Sequence, residues 1–470
     1  MTNFDRRTAL AAIGAVMSTA AACWPGLSLA RSVSARAARA RALPWLASPQ
    51  QIAAEKMLLT LLDDPEVKRI QAIVRAELAA SPRARTIPDA AASLDGAIAL
   101  WTNSLIFAEM CKDTARPAFL WSTDDTPRDW LGHHLGGVGT SGDNPDAVYR
   151  TAGIAGGGHY EILGQYHPES RPTQVLIEVN AGDMAQPKNI MPTAGGAHQD
   201  IHNAAQINQD QFVVARNGSF RITLSPDKDG PGTDTAPNHL TIPASGYCLV
   251  GVRDILSNWN HRASRLTIRR IDRIEAPPFG IAQVRRLVRR DLADYIRFWA
   301  HFPDIWFGGL KPNTHSAAMA RPGGWGYVAG LNYHLAPDEA LVVTTTSGGA
   351  KYTGFQINDP WMIAPDARSR QVCLNGSQIT PNADGTATYV IAASDPGAAN
   401  WLDTTGYGDG LAIIRWQNIP AGLMGDGLIR DFRVAKLAEI AAMEDLPRVT
   451  PAQRRARVAA RKAAYETRVR

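Results

Sequence analysis

From about residue 118 onward the chain alternates short apolar runs with clusters of Gly, Pro, Asn and Asp, a pattern that predicts many short strands joined by tight turns. In the first half the runs lie at 119–121, 160–163, 173–179, 211–214, 219–224, 239–242, 247–252 and 265–271, with Val148 and Ile154 as further strand residues. In the second half they lie at 339–346, 352–357, 386–392 and 411–416. Strands this short and this numerous predict two β-sandwich or jelly-roll-like domains.

Helical spacing appears before, between and after those domains. Ser48, Pro49 and Gln51 have the form of a helix start, with a capping hydroxyl, a proline at the first helical position and a glutamine reaching back. A second helix follows over 65–80, with Val67, Ile70, Ile73, Val74 and Leu78 three or four apart, and a third around 90–111. The segment 281–298 sets Val284, Leu287, Val288, Leu292, Tyr295 and Ile296 against Arg285, Arg286, Arg289 and Arg290, an amphipathic helix joining the two β-domains. A short helix near 435–443 precedes Thr450, Pro451 and Gln453, which repeat the capping pattern. There Arg454, Arg455, Arg457, Arg461 and Lys462 read as a solvated strip. The chain is thus expected to be mainly β with helical additions. Its parts are a helical N-terminal region (48–117), a first β-domain (118–275), a connecting helix and Gly-rich loop (276–332), a second β-domain (333–432) and C-terminal helices (433–470).

The first 47 residues follow a different pattern. Arg6 and Arg7 precede an apolar, small-residue run that ends near Ala30, the form of a twin-arginine-like export signal, and 31–47 is an Arg/Ala/Ser linker with nothing to bury. This predicts a periplasmic or secreted protein after signal removal. No later uninterrupted apolar run reaches the about 20 residues that span a bilayer, so no transmembrane segment is expected in the mature chain.

Composition narrows the chemistry. In 470 residues there are 40 Gly and 30 Pro, which favour turns over long helices, and the net charge of +5 is concentrated at 31–41 and 454–470. Without interleaved aromatics or a binding motif, that excess does not predict nucleic-acid binding. Of four cysteines, Cys23 lies in the signal, and Cys111, Cys248 and Cys373 form neither a C-x-x-C pair nor a disulfide framework.

Several ordered motifs carry a family resemblance: NPDAVYR at 144–150, GGGHYEILGQ at 156–165, NHLTIPASGYCLVGVRDILSNW at 238–259, PDEALVV at 337–343 and ANWLDTTGYGDGLAIIRW at 399–416. Together they resemble the domain-of-unknown-function 1214 family, from about residue 100 to the C-terminus. The resemblance implies a β-rich architecture and carries no catalytic assignment.

Candidate chemistry concentrates in three places. The first is the 182–208 insertion, where His198, Asp200 and His202 would share one face of a strand, and where the two histidines would sit one turn apart in a helix. They are the expected proton carriers, with Asp200 as orienter; no third and fourth ligand at a diagnostic spacing accompanies them, so no metal is expected. The second is the turn at Asn144 and Asp146 with Tyr149 after it, and the third the polar and aromatic rim of Trp361, Trp401 and Asp403. These six are the expected substrate-binding residues. No G-x-S-x-G elbow and no phosphate-loop lysine is present, which disfavours α/β-hydrolase chemistry and nucleotide binding. The sequence therefore supports an exported, cofactor-independent lyase or hydrolase for a small apolar or aromatic molecule. The rival is a periplasmic, envelope-associated protein that binds a glycan or lipid without catalysis. Self-association into a homo-oligomer is compatible with either. All of this supposes that the two turn corners and the histidine segment converge on one hollow.

Overall fold

The structure, a computed structural model, describes residues 43–186, 202–227, 238–321 and 325–470. The export signal, residues 31–42 of the linker, His198 and Asp200 lie outside the described residues. What is described is mainly β, with helices at both ends and one between the two sandwiches.

Four helices open the described chain: α1 (Pro49–Leu62), α2 (Pro65–Ala79), α3 (Pro82–Thr86) and α4 (Pro88–Met110). Each begins on a proline, whose fixed φ suits the first helical turn and whose missing N–H would have had no partner there. Ser48, Asp64 and Ser81 accept from the backbone N–H groups just inside the first three, so the end of one helix and the start of the next are set by residues side by side in sequence. Helix α4 is long and apolar enough to span a membrane by length and composition, but two-thirds of its apolar window is buried within the fold. Its Leu94, Trp101, Leu105 and Phe107 form a helical core with Val288, Leu292 and Trp299 of α5 (Ile281–Phe307). The arginines of α5 point away from that core: Arg285 and Arg289 pair with Asp64, and Arg297 with Glu77.

The first sandwich stacks a five-stranded sheet on a four-stranded one. The first sheet has β1 (Leu120–Thr123), β4 (Ala147–Ala155), β10 (Tyr247–Ile255), β6 (Gln174–Ala181) and β7 (His202–Asn208) in that spatial order. The second has β11 (Arg265–Arg270), β5 (Tyr160–Gln165), β8 (Ser219–Ser225) and β9 (His239–Thr241). A two-stranded ribbon, β2 (Arg128–Trp130) with β3 (His133–Leu135), stands outside both. Ile154, Ile177 and Val250 meet Ile162, Ile222 and Leu224 in the core between the sheets.

The second sandwich repeats this order strand for strand. Its five-stranded sheet runs β12 (Met319–Ala320), β13 (Gly326–His334), β19 (Asp409–Gln417), β15 (Tyr352–Asn358) and β16 (Cys373–Asn375). Its four-stranded sheet runs β20 (Ile429–Lys436), β14 (Glu339–Thr345), β17 (Ala387–Ala392) and β18 (Trp401–Asp403). Even the one parallel pair recurs, β8 with β9 and β17 with β18. Register fixes residue equivalence: Arg253 stands opposite Tyr149 and Leu176, while Arg415 stands opposite Val328 and Gly354. Arg253 and Arg415 are therefore the same position in two copies of one unit, and so are Gly251 and Ile413, and Glu178 and Gln356.

Three expectations are corrected. No strand forms at 211–214, where Phe212 still turns into the core. The stretch 306–332, aperiodic in sequence because Gly326 and Gly330 interrupt the alternation, contains β12 and β13, the latter bonded along its whole length to β19. The basic C-terminal helix α7 (Pro451–Tyr465), which follows the short α6 (Leu437–Ala442), is no solvated strip. Arg454 donates to the carbonyls of Ala398 and Ala399, and Arg461 donates to that of Ala367 while stacking 3.9 Å from the Trp259 ring. Planar guanidinium groups satisfy carbonyls at the ends of the second sandwich, and this needs two of the arginines buried on the inward side of the helix.

Candidate functional site

Strand alternation builds the site. In the five-stranded sheet of the first sandwich one set of side chains fills the core, and the other set faces α4 and α5. Across that face Tyr149 and Thr151 of β4, Leu249, Gly251 and Arg253 of β10, and Glu178 and Asn180 of β6 line a cavity of 660 Å³. Ser104 and Ala108 of α4 and Tyr295 and Trp299 of α5 form its opposite wall, and Arg321 and Trp325 flank it. Its size is that of pockets that hold small organic molecules. Gly251 helps to keep it open: a β-carbon there would meet only Glu178, at 3.4 Å, so a larger side chain would project into the hollow.

The charges are unevenly answered. Arg253 pairs with Glu178 at 2.7 Å. Its guanidinium lies 5.4 Å from the Trp325 ring, and that of Arg321 lies 4.2 Å from the same ring. Among the described residues Arg321 has no acidic partner within ion-pair distance. Burial, together with the positive charges of Arg253 and Arg415, lowers its proton affinity from the usual arginine range to about 9. The flank of the cavity thus holds positive charge that the described part of the protein does not neutralise.

A carboxyl pair occupies another part of the wall. Asp143 lines the cavity and also a recess of about 10 Å³, close to the space of one water, whose lining includes Asp125. Gly139 lies where the two acids meet, and a β-carbon on it would collide with both carboxylates. Asp143 accepts from the Thr140 backbone N–H at 2.6 Å, and Asp125 accepts from the Ala364 N–H at 3.0 Å. The remaining oxygen of Asp125 is buried without a partner among the described residues. Burial and then the charge of Asp143 push Asp125 well above the usual carboxylate range, and burial raises Asp143 as well, against the pull of Thr140, Arg415 and Arg253. Two carboxyls so placed hold a proton to higher pH than either would alone.

The second sandwich positions this acid loop. Arg415 donates to the Gly142 carbonyl, Gln356 donates to the Asp143 carbonyl at 2.7 Å, and the Gly142 N–H donates to Met362 at 2.7 Å. Gly142 has φ +80°, and a β-carbon on it would press into the methyl of Met362. The loop therefore lies flat on one sandwich and presents its carboxylate to the cavity of the other.

Of the nine residues expected from sequence, Tyr149 and His202 line this cavity; His202 is exposed, at the start of β7. The structure places five others elsewhere. Asp146 is buried and fully bonded, accepting from the Trp259 indole at 2.7 Å, the Asn375 amide at 2.8 Å and the Tyr352 hydroxyl at 2.7 Å, and so ties the first sandwich to the second. Asn144 donates to the same Tyr352 hydroxyl at 2.8 Å. Trp361 packs edge-on against Trp101 and donates to the Ala90 carbonyl. Trp401 donates to the Ala392 carbonyl within the second sandwich, and Asp403 caps the turn at Thr405 and pairs with Arg370. Each polar tip is used up by the fold, which is the ordinary state of a buried polar group. The two turn corners do not converge on one hollow.

Asp125, Asp143, Glu178, Arg253, Arg321 and Trp325 were missed. A sequence signal existed for one of them, Arg253: with Gly251 it interrupts a largely apolar strand, and a glycine within a strand often marks a close approach or an open face. The acid pair had none, because its members come from different loops. Among the described residues no group of three His, Cys, Asp or Glu is placed to hold a metal.

No family model matches the chain, and no curated protein matches it. Among solved structures, an uncharacterized protein from Burkholderia cenocepacia aligns over 83% of this chain and 99% of its own, with TM-score 0.60 and 22% identity. A protein from Vibrio parahaemolyticus aligns over 73% of this chain and 99% of its own at 10% identity, with a TM-score of 0.36 that supports no argument. The likeness to the Burkholderia cenocepacia protein is one of fold.

Proposed function

We propose that the cavity over the first sandwich binds a small, partly apolar molecule, and that the protein acts on it without a cofactor, by proton transfer of the lyase or hydrolase kind. The observation that carries this reading is the Asp125–Asp143 pair, a proton-holding acid set in the wall of a cavity of ligand size. In that reading Asp143 exchanges the proton with the ligand, Asp125 stores it, and Tyr149 forms the adjoining wall. Arg415 and Gln356 act through the loop as positioning residues. Membership of the domain-of-unknown-function 1214 family and export to the periplasm belong to the same proposal, supported by the ordered motifs and the paired arginines near the N-terminus.

The test is a turnover screen of the purified protein against small esters, lactones and β-hydroxy acids, with Asp143→Asn and Asp125→Asn alongside. The expected loss is on the order of 100-fold or more in kcat for Asp143→Asn, the scale of removing a general acid. Unchanged turnover in both variants would refute the role. Saturable binding with no product from any compound would favour the envelope-associated binding protein instead, for which Trp325, Tyr149 and the arginines suffice as recognition groups.

A further inference from the structure

We infer that the molecule taken by this cavity is an organic anion, its carboxylate or phosphate held by Arg321 and Arg253 beside the Trp325 ring and its apolar body lying toward Leu249, Ala108 and Trp299. The inference rests on the reading of the cavity as a binding site and adds the class of ligand. Arg253 pairs with one carboxylate, Glu178, and Arg321 with none among the described residues, yet both guanidinium groups lie over the same Trp325 ring. Two guanidinium groups crowded together repel each other, and an anion between them would relieve the repulsion and accept from both. Burial first, and then the charges of Arg253 and Arg415, lower the proton affinity of Arg321.

The second sandwich supplies an independent observation. Arg415 is the counterpart of Arg253, and it does not face a hollow: it donates to the carbonyl oxygen of Gly142, while Gln356, counterpart of Glu178, donates to the next carbonyl. In that copy an oxygen acceptor from the chain itself occupies the space over the arginine. In the first copy no described residue fills the same space, and an oxygen acceptor from a ligand would complete the pattern. The opposite wall presents Ala108 and the Tyr295 and Trp299 rings, with the Ser104 and Tyr295 hydroxyls bonded to each other, which favours an anion with an aromatic or aliphatic body over an inorganic one.

Three probes decide it: phenylacetate, phenyl phosphate and neutral 2-phenylethanol, titrated against the purified protein by calorimetry. At least one anion is expected to bind tenfold or more tightly than 2-phenylethanol, and whichever of the two binds better identifies the carboxylate or the phosphate source. In Arg321→Gln that anion should weaken by about tenfold, while 2-phenylethanol is unaffected and the thermal midpoint confirms folding. Equal binding of the neutral and charged probes, or an Arg321→Gln variant that keeps full anion affinity, would overturn the inference while leaving the cavity reading intact. No binding of any probe to the native protein would overturn the cavity reading, and this inference with it.

Discussion

The two sandwiches share one strand order and one register, yet among the described residues the cavity over the five-stranded sheet of the first measures 660 Å³, and the one beside that of the second 200 Å³. Over the second, the counterpart face is filled: Val328, Leu411 and Ile413 pack with Met362 and with Phe307 from the end of α5. The matching positions in the first are Tyr149, Leu249 and Gly251. Gly330 shows the same trade from the other side, since a β-carbon on it would strike the Phe307 ring, whereas its counterpart Thr151 lines the cavity. One backbone unit therefore serves once as a container and once as the platform that holds the acid loop. The architecture leaves both uses open, and a few face residues decide between them.

The largest effect expected from disturbing this contrast is on the filled face. Ile413→Ala should cost about 2–5 kcal/mol in urea unfolding, since it removes buried methyl groups from a packed cluster. Its counterpart Gly251→Ala should change stability by less than about 1 kcal/mol, because the added methyl meets only the Glu178 side chain, at ordinary contact distance. Equal costs at the two positions would show that the faces are not differently packed.

Next in size is a pH effect with one contribution beside each face. Burial raises Asp359, just below the second face, to about 7, and raises Glu109 of α4, near the first, to about 8. A carboxyl with a raised folded value adds stability below its unfolded value and withdraws it as pH rises through the folded one. The thermal midpoint should therefore fall as pH climbs from the ordinary carboxylate range through about 7 and then about 8. Asp359→Asn should remove the earlier part of the fall and Glu109→Gln the later part. A midpoint that instead rises over this range would contradict both assignments.

The smallest effect on stability, and the sharpest on binding, belongs to Gly251→Leu. It should leave the unfolding midpoint nearly unchanged while abolishing binding of all three probes, by filling the first face as Ile413 fills the second. Trp401→Phe should do the reverse, weakening the fold through the lost bond to Ala392 and leaving probe binding untouched. If Trp401→Phe changed affinity, the sequence-based assignment of that tryptophan to the site would be restored.

Local information is enough for some of this. Strand alternation, the capped helix starts at Ser48 and Thr450 and the amphipathic 281–298 segment specify elements, because each depends on residues within a turn or two of one another. Tyr149 and His202 could be picked from residue type and neighbourhood. Trp361, Trp401, Asn144, Asp146 and Asp403 have the same residue types in similar turns, but sequence does not reveal whether a polar tip is already spent on Ala90, Ala392, Tyr352 or Trp259. Apart from Trp401, whose partner Ala392 lies nine positions away, that is decided by partners tens to hundreds of positions away.

By itself the sequence determined a mainly β protein with terminal and connecting helices, since periodicity and turn chemistry are written locally in the chain. Only the tertiary structure decided that the two sandwiches repeat one topology, that Asp125 meets Asp143, and that Arg253 and Arg321 converge on Trp325. These are relations between segments far apart in sequence, created when the sheets stack and the connecting helix crosses them, and no short window of residues contains them.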